Sequence, residues 1–233
     1  MSSNKQIPDF TSLVSHQLRT PFATINWHAE MLLSGRLGAM NPKQAKYIRE
    51  IYRASRRMLD MVNTVLSISR IEKGVPAGEF GPTDISALAE AIFRERRFEI
   101  KEKNLIVRKS FEKIPKIHAD PNQINMIVQN LLSNAIKYTP AGGRIAFAIK
   151  REVQQGVAGV SISMADSGIG IPKSAEKNIF GKFFRAKNAR AQEAEGSGLG
   201  LYILKSVIEE MHGRIWFTSE EGKGTTFFVF LPT

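Results

Sequence analysis

Hydrophobic positions recur at helical spacing through the first third of the chain. Phe10, Val14, Leu18, Ile25, Ala29 and Leu32 form one stripe at steps of about 3.6 residues. Ser34-Gly35 and Gly38 interrupt it. Asn41-Pro42 then reads as an N-cap with proline at the first helical position. A second stripe, Ile48, Ile51, Ser55, Met58, Val62, Val65 and Ser69, alternates steps of three and four and stops at Lys73-Gly74. The two helices predict a hairpin over residues 1–73. A lone hairpin covers only one side of each stripe, so pairing two hairpins into a four-helix bundle, a homodimer, is the expected solution.

Residues 74–79 open a Gly- and Pro-rich linker, GVPAGEFGPT, that merges into a first strand. From residue 80 to 233 the pattern mixes periods. Ile85–Lys103 is an amphipathic helix, Leu105–Phe111 a strand, and Pro121–Tyr138 a helix begun by Asp120 and ended before Pro140. Arg144–Val153 and Val157–Ala165 alternate as paired strands. An irregular stretch covers about 167–197, Leu199–His212 is helical, and Arg214–Ser219 and Thr225–Leu231 are closing strands. Strands and helices in separate blocks predict an α+β fold: the helical hairpin followed by a two-layer α/β sandwich.

Composition narrows the function classes. Of 233 residues, 42% are hydrophobic and 24% charged, ordinary values for a folded chain. No apolar run is long enough to span a membrane, and MSSNKQIPDF lacks the apolar core of a signal peptide. With no cysteine and four scattered histidines, disulfides, thiol nucleophiles and histidine-rich metal cages are not expected. The net charge of +11 suggests an anionic partner, but the excess is spread over both parts of the chain. No base-reading motif or aromatic stacking run accompanies it, so no nucleic-acid partner is expected.

Four segments carry candidate chemistry. In SHQLRTPF, His16 lies two residues from Val14 and Leu18, about 200° around the helix, so its imidazole is expected to face solvent. Pro21 removes the donor to the Gln17 carbonyl and would bend the helix at a cost of about 3 kcal/mol. An exposed imidazole is a competent phosphoryl acceptor when one nitrogen is unprotonated, although exposed histidines are also commonplace. In NLLSNAIKYT, Asn130 and Asn134 share a polar helix face near Lys137 and Tyr138, which suits a metal–phosphate group or a plain solvated surface. In ADSGIGIP, Asp166 ends an apolar run, where a carboxylate can accept from an exocyclic amine, and Gly168 and Gly170 permit close backbone approach. An ordinary Asp-Gly turn has the same sequence. In EGSGLGLYI, Gly196, Gly198 and Gly200 open a helix, leaving N–H groups for an anion. The polar stretch before this turn is not a strand, and there is no GxxxxGK[ST] loop, so the two common glycine-rich nucleotide folds are disfavoured.

Taken together and in this order, the segments resemble the catalytic core of bacterial sensor histidine kinases, from about Phe10 to Pro232. SHQLRTPF is similar to the phosphoacceptor box, NLLSNAIKYT to the asparagine box, and DSGIG and GSGLGL to the first two glycine boxes. IFGKFFRA is similar to the phenylalanine box and GKGTTF to a last glycine box. The resemblance implies that residues 1–73 dimerise and carry the phosphoacceptor His16, and that residues 80–233 bind ATP with Mg²⁺. Asn134 would ligate the metal. Asn130 and Lys137 would meet metal-bound water and phosphates, Tyr138 would line the nucleotide, and Asp166 would read the adenine amine. Gly196, Gly198, Leu199, Gly200 and Leu201 would hold phosphates, with Thr225 in a water-linked adenine contact. Residues from about Phe180 to Glu195 would form a lid anchored by Phe183 and Phe184, from which Arg185 could reach the γ-phosphate. The partner implied is a response-regulator receiver domain, and the location cytoplasmic, as a soluble kinase or the cytosolic part of a receptor.

One position departs from the family pattern. An acid usually follows the histidine; here it is Gln17. Its amide can accept a hydrogen bond and fix the imidazole tautomer, but it cannot take a proton. A general base contributes about 10²–10⁴-fold, so slow autophosphorylation is expected. Thr20, four residues after His16, matches the threonine the family uses to orient water during regulator dephosphorylation. The alternative is therefore a nucleotide-binding dimer that works mainly as a phosphatase or docking module.

Overall fold

The structure, a computed structural model, describes residues 10–72, 80–192 and 197–233, and for 10–16, 18, 19, 60 and 63–72 the backbone alone. The expected linker 74–79, Gly196 and residues 193–195 of the expected lid thus lie outside the described residues. The chain separates into two compact units, Met1–Val75 and Pro76–Thr233.

The first unit is an antiparallel pair of helices, α1 (Phe10–Leu33) and α2 (Pro42–Glu72). Pro21 lies inside α1. The start of α2 is a reciprocal cap: Gln44 N–H donates to Asn41 Oδ1 at 2.9 Å, and Asn41 N–H to Gln44 Oε1 at 3.0 Å. Between the helices Ala29, Tyr52 and Ser55 are buried. Tyr52 donates to Glu30 Oε1 at 3.2 Å, and Ser55 to the Phe22 carbonyl at 3.2 Å. The expected stripe is only partly covered. Ile51 stays 50% exposed and Met58 52%, while Tyr52, off the stripe, is 1% exposed.

In the second unit, β1 (Gly81–Thr83) leads into α3 (Ile85–Glu95) and α4 (Arg97–Glu102). Then come β2 (Ile106–Phe111), β3 (Ile117–Ala119), α5 (Pro121–Tyr138), β4 (Arg144–Gln154), β5 (Val157–Asp166), a 3-10 turn at Lys173–Asn178, α6 (Lys187–Gln192), α7 (Gly200–Glu210), β6 (Arg214–Glu220) and β7 (Gly224–Pro232). Five strands form a mixed sheet in the order β2-β4-β5-β7-β6, parallel only between β2 and β4; β1 and β3 pair separately. The buried faces of α3, α5 and α7 and the inward residues Ile145, Phe147, Ile149, Ile162, Met164, Phe227 and Val229 make the core. This is the expected α+β two-layer sandwich. The single helix expected over Ile85–Lys103 is two, because the backbone leaves helical geometry at Arg96 (ψ 5°), whose buried side chain holds Glu99. Strand β3 was not anticipated: three residues are too few to show alternation.

Candidate nucleotide-binding site

Helix α5 begins at Asp120, whose carboxylate accepts the Asn122 N–H at 2.8 Å, with Pro121 in the first turn. Its apolar side, Ile124, Ile127, Val128, Leu131, Leu132 and Ala135, is buried. Asn130, Asn134, Lys137 and Tyr138 lie on the less buried side, as the spacing requires. Asn130 Nδ2 donates to the Met126 carbonyl at 3.0 Å, which fixes the amide and leaves Oδ1 as an acceptor. A Cβ on Gly200 would sit 3.0 Å from that oxygen, so the start of α7 abuts the α5 amide. Asn134 is half-buried, and its amide has no hydrogen-bond partner among the described residues. Lys137 Nζ stands 5.4 Å from the Tyr138 ring centre.

The C-terminal turn of α5 has several carbonyls without intrahelical donors, and one side chain answers most of them. Lys103 Nζ donates to the carbonyls of Ile136 (2.7 Å), Lys137 (3.0 Å) and Thr139 (3.2 Å). The Lys103 carbonyl in turn accepts the Gly142 N–H at 2.8 Å. The Tyr138 carbonyl takes the Ile169 N–H at 3.3 Å, which ties the helix to the glycine turn after β5. Lys103 sits about thirty residues from these carbonyls in sequence, so no local signal points to it.

Asp166, the last residue of β5, is held by that turn. The Gly168 N–H donates to its Oδ1 at 2.8 Å. Burial raises the Asp166 carboxyl to about 6, against the opposing pull of the Gly168 and Thr225 backbone N–H groups. Thr225 pairs with Asp166 across the sheet and is buried. Its hydroxyl lies 2.8 Å from Ser219 Oγ, which donates to the Gly224 carbonyl and accepts the Ile171 N–H, so Thr225 is the donor in that pair. The lone pairs of the Thr225 hydroxyl take no donor among the described residues and suit a water. Gly170 has φ 64°, and a Cβ there would fall 2.0 Å from the Glu220 carbonyl; only glycine fits.

The segment from Phe180 to Gln192 is more ordered than the sequence suggested. Phe180 packs edge-on against Phe217 at 5.9 Å, and α6 forms a short helix. Phe183 is not an anchor: it is 68% exposed with φ 60°. Phe184 is half-buried, and the segment is held instead by Phe180 and by Asn188, whose Nδ2 donates to the Gly170 carbonyl at 3.0 Å. Gln192 reaches the Tyr138 carbonyl at 3.4 Å. Neither Asn188 nor Gln192 was singled out in the sequence, where both look like polar surface positions. Arg185 donates to the Ala189 carbonyl at 3.3 Å, so in this arrangement its guanidinium is engaged within its own segment.

Gly198, at φ 69°, brings the start of α7 against the Phe183 and Phe184 backbone, where a Cβ would lie 2.7 Å from the Phe183 carbonyl carbon. Leu199 is buried and its N–H donates to Ser197 Oγ at 3.3 Å, Gly200 and Leu201 are half-buried, and among the described residues no side chain caps the N–H groups of α7 itself. Gly196 lies outside the described residues. In the first unit, Gln17 and Thr20 are exposed on α1, and the His16 side chain lies outside the described residues. Thus the start of α7, at Gly200, abuts Asn130 midway along α5, while the Asp166–Gly170 turn after β5 is tied to the C-terminal end of the same helix through Ile169 and Tyr138. The described residues contain no cluster of three or more His, Cys, Asp or Glu suited to a metal. A metal here would rest on the Asn134 amide oxygen and on phosphate, to which the unpartnered amide is suited. No helix among the described residues is long and apolar enough to cross a membrane.

Residues 119–233 match the family of histidine kinase-, DNA gyrase B- and HSP90-like ATPases, and residues 8–74 match the His kinase A (phospho-acceptor) domain. The sensor histidine kinase WalK of Bacillus subtilis is 33% identical over 228 residues, covering 96% of this chain and 36% of that protein. The circadian input-output histidine kinase CikA of Synechococcus elongatus is 31% identical over 234 residues, covering 99% of this chain and 30% of that protein. The chain therefore spans about a third of the length of these relatives. Among solved structures, full-length ShkA in complex with AMPPNP aligns with TM-score 0.64 at 26% identity, over 97% of this chain and 46% of that one. The catalytic domain of histidine kinase ThkA, nucleotide-free, aligns with TM-score 0.56 at 27% identity, over 66% of this chain and 95% of that one.

Proposed function

Because this chain belongs to the sensor histidine kinases, we propose that it is an ATP-dependent protein-histidine kinase core working as a homodimer. Residues 1–73 are its phosphotransfer hairpin, residues 74–79 a linker and residues 80–233 its ATP-binding domain. The observation that carries the reading is that one helix, α5, carries both parts of the site: Asn130 against the start of α7, and the Tyr138 carbonyl tied to the buried Asp166 turn. Such a site offers a carboxylate for the adenine amine and N–H groups for phosphate, as nucleotide binding requires. With its carboxyl raised only to about 6, Asp166 is ionised at pH 7 and accepts from the adenine N6 amine.

In the reaction a His16 ring nitrogen attacks the γ-phosphorus in line, the bond to the β–γ bridging oxygen breaks, and ADP leaves. Gln17 accepts from the other ring nitrogen and fixes the tautomer. Asn130, Lys137, Gly198, Leu199, Gly200 and Leu201 orient the phosphates, with Gly196 in the same turn. Arg185, once released from Ala189, reaches the γ-phosphate. Tyr138, Gly168, Gly170 and Thr225 shape the base pocket. Asn134 Oδ1 would hold Mg²⁺, which when bound would neutralise charge on the phosphate oxygens. A response-regulator aspartate then receives the phosphoryl group at the basic hairpin, and Thr20 orients the water that later hydrolyses the aspartyl phosphate, releasing inorganic phosphate and the free carboxylate. The setting proposed is the cytoplasm, and no nucleic acid takes part.

The test is incubation with γ-labelled ATP and Mg²⁺ alongside His16→Ala and Gln17→Glu. Acid-labile, base-stable label that disappears in His16→Ala is the expected result. ATP binding without any label in the parent chain would overturn the kinase reading.

A further inference from the structure

Beyond the nucleotide site, the first strand of the main sheet is an open edge beside a groove. In the order β2-β4-β5-β7-β6, β4 is the one strand among the described residues that pairs with β2. The Ile106 N–H bonds the Gly143 carbonyl and the Glu112 N–H bonds the Ile149 carbonyl, so even-numbered residues of β2 bond inward. The N–H and C=O groups of Val107 and Lys109 therefore point outward, and no described residue bonds to them. Alongside this edge lies a groove of about 570 Å³ between β2, α3 and α4. Its apolar lining is Phe93, Ile100, Leu105 and Val107. Its charged lining is entirely cationic: Arg94, Arg97, Lys101 and Lys109. Lys109 pairs with Glu90 at 2.6 Å, but Arg94 and Lys101 are exposed and make no ion pair with a described residue.

We propose that this edge is a docking surface for an extended acidic peptide that adds a strand beside β2. Its side chains would alternate, one apolar residue entering the groove with a carboxylate two positions to either side. The backbone pairs with Val107 and Lys109, and the carboxylates meet Arg94 and Lys101. Three features favour this occupant: an unpaired strand edge, an apolar floor beneath it, and a lining with four cations and no carboxylate. A second copy of β2 is disfavoured because it would set Arg108 and Lys109 against their own kind. None of the groove residues belongs to the nucleotide site.

The probes are fluorescein-labelled peptides Thr-Glu-Thr-Φ-Thr-Glu-Thr, with Φ as Leu, Ile, Phe or Trp, and the same set with Lys for Glu, titrated against the whole chain. At least one acidic peptide is expected to bind saturably and to protect the Val107 and Lys109 amides from hydrogen exchange. Arg94→Glu with Lys101→Glu, and separately Val107→Pro, should each weaken binding by about tenfold or more, with ATP binding unchanged. Val107→Pro removes an outward donor without touching the β4 ladder. Absence of saturable binding by every acidic peptide, equal binding of the Lys set, or binding insensitive to these variants overturns the proposal. So does binding to anionic phospholipid vesicles in place of the peptides.

Discussion

Replacing Lys103 by Met tests whether the end of α5 depends on a residue remote in sequence. Met keeps most of the apolar stem and its packing, so the change isolates the ammonium. The ammonium donates to three carbonyls at 2.7, 3.0 and 3.2 Å. Hydrogen bonds to a charged group contribute about 1.5–3 kcal/mol each, but three sharing one donor do not add fully. Cation–helix-terminus attraction supplies about 0.3–1 kcal/mol more. Water can reach the carbonyl side of half-buried Lys137 more readily than those of buried Ile136 and Thr139. A loss of about 2–4 kcal/mol follows. At about 2–4 °C per kcal/mol for a unit of this size, the melting temperature should fall by roughly 5–15 °C.

The same turn carries Lys137 and Tyr138, and the Tyr138 carbonyl holds Ile169 in the glycine turn. ATP affinity should therefore fall along with stability, and saturating ATP should recover part of the lost melting temperature. Calorimetric unfolding with and without ATP, plus titration calorimetry, reads both effects. Lys101→Met is the control, since Lys101 is exposed nearby without such bonds. A loss below about 1 kcal/mol, or one equal to that of Lys101→Met, would refute the reasoning.

Asp166 gives a pH signature. Its folded pKa of about 6 lies above the unfolded value, so the folded state binds more protons between about pH 4 and 6, and the Asp166 contribution to stability is lost as pH rises through that window. Asp166→Asn should therefore gain stability relative to the parent at pH 7.5, with the gap closing at pH 4; a gap constant between the two sinks the assignment. Gly198→Ala places a Cβ 2.7 Å from the Phe183 carbonyl carbon at a positive φ, and should weaken ATP binding at least tenfold; titration calorimetry showing parent affinity would count against that contact. Gln17→Glu should speed autophosphorylation by about 10- to 100-fold if the missing base limits the rate, as initial rates of acid-labile labelling will tell. Thr20→Ala should lose dephosphorylation of a phosphorylated receiver domain while keeping autophosphorylation, and equal dephosphorylation rates would discard the role given to Thr20.

Local chemistry made much of this molecule readable from the sequence. Asn41-Pro42 and Asp120-Pro121 mark helix starts because cap and first-turn preferences depend only on neighbours. Long alternating strands were legible for the same reason. What depended on distant parts was not. The break at Arg96 has no glycine or proline to announce it, and it goes with a buried guanidinium that holds Glu99. Phe183 sits in an aromatic motif yet faces solvent, whereas Phe180 finds Phe217 on a strand almost forty residues later. The α2 stripe counted Ile51, Ser55 and Met58; within one hairpin Ser55 is buried as expected, Ile51 and Met58 are not, and Tyr52, off the stripe, is. A periodic pattern tells which residues some neighbour covers, not which neighbour.

Helix ends separate scaffold from site in this fold. The N-termini of α2, α3 and α5 are closed by their own side chains: Asn41 for Gln44, Asp84 for Ala87, Asp120 for Asn122. The C-terminus of α5 is closed by Lys103 and Ile169. Helix α7 differs. Its N-cap is Leu199, which has no side-chain oxygen, and its next residue is Gly200, set against Asn130. A capping Ser or Asp at that position would contribute about 1 kcal/mol, and the sequence forgoes it. A capping oxygen would compete for the N–H groups that the proposed phosphate contact needs, and a carboxylate would repel the phosphate as well. The uncapped start of α7 is thus a local loss of stability at the point where the proposed function needs free donors, while the neighbouring helix ends that hold Asn130, Lys137 and Tyr138 in place are satisfied.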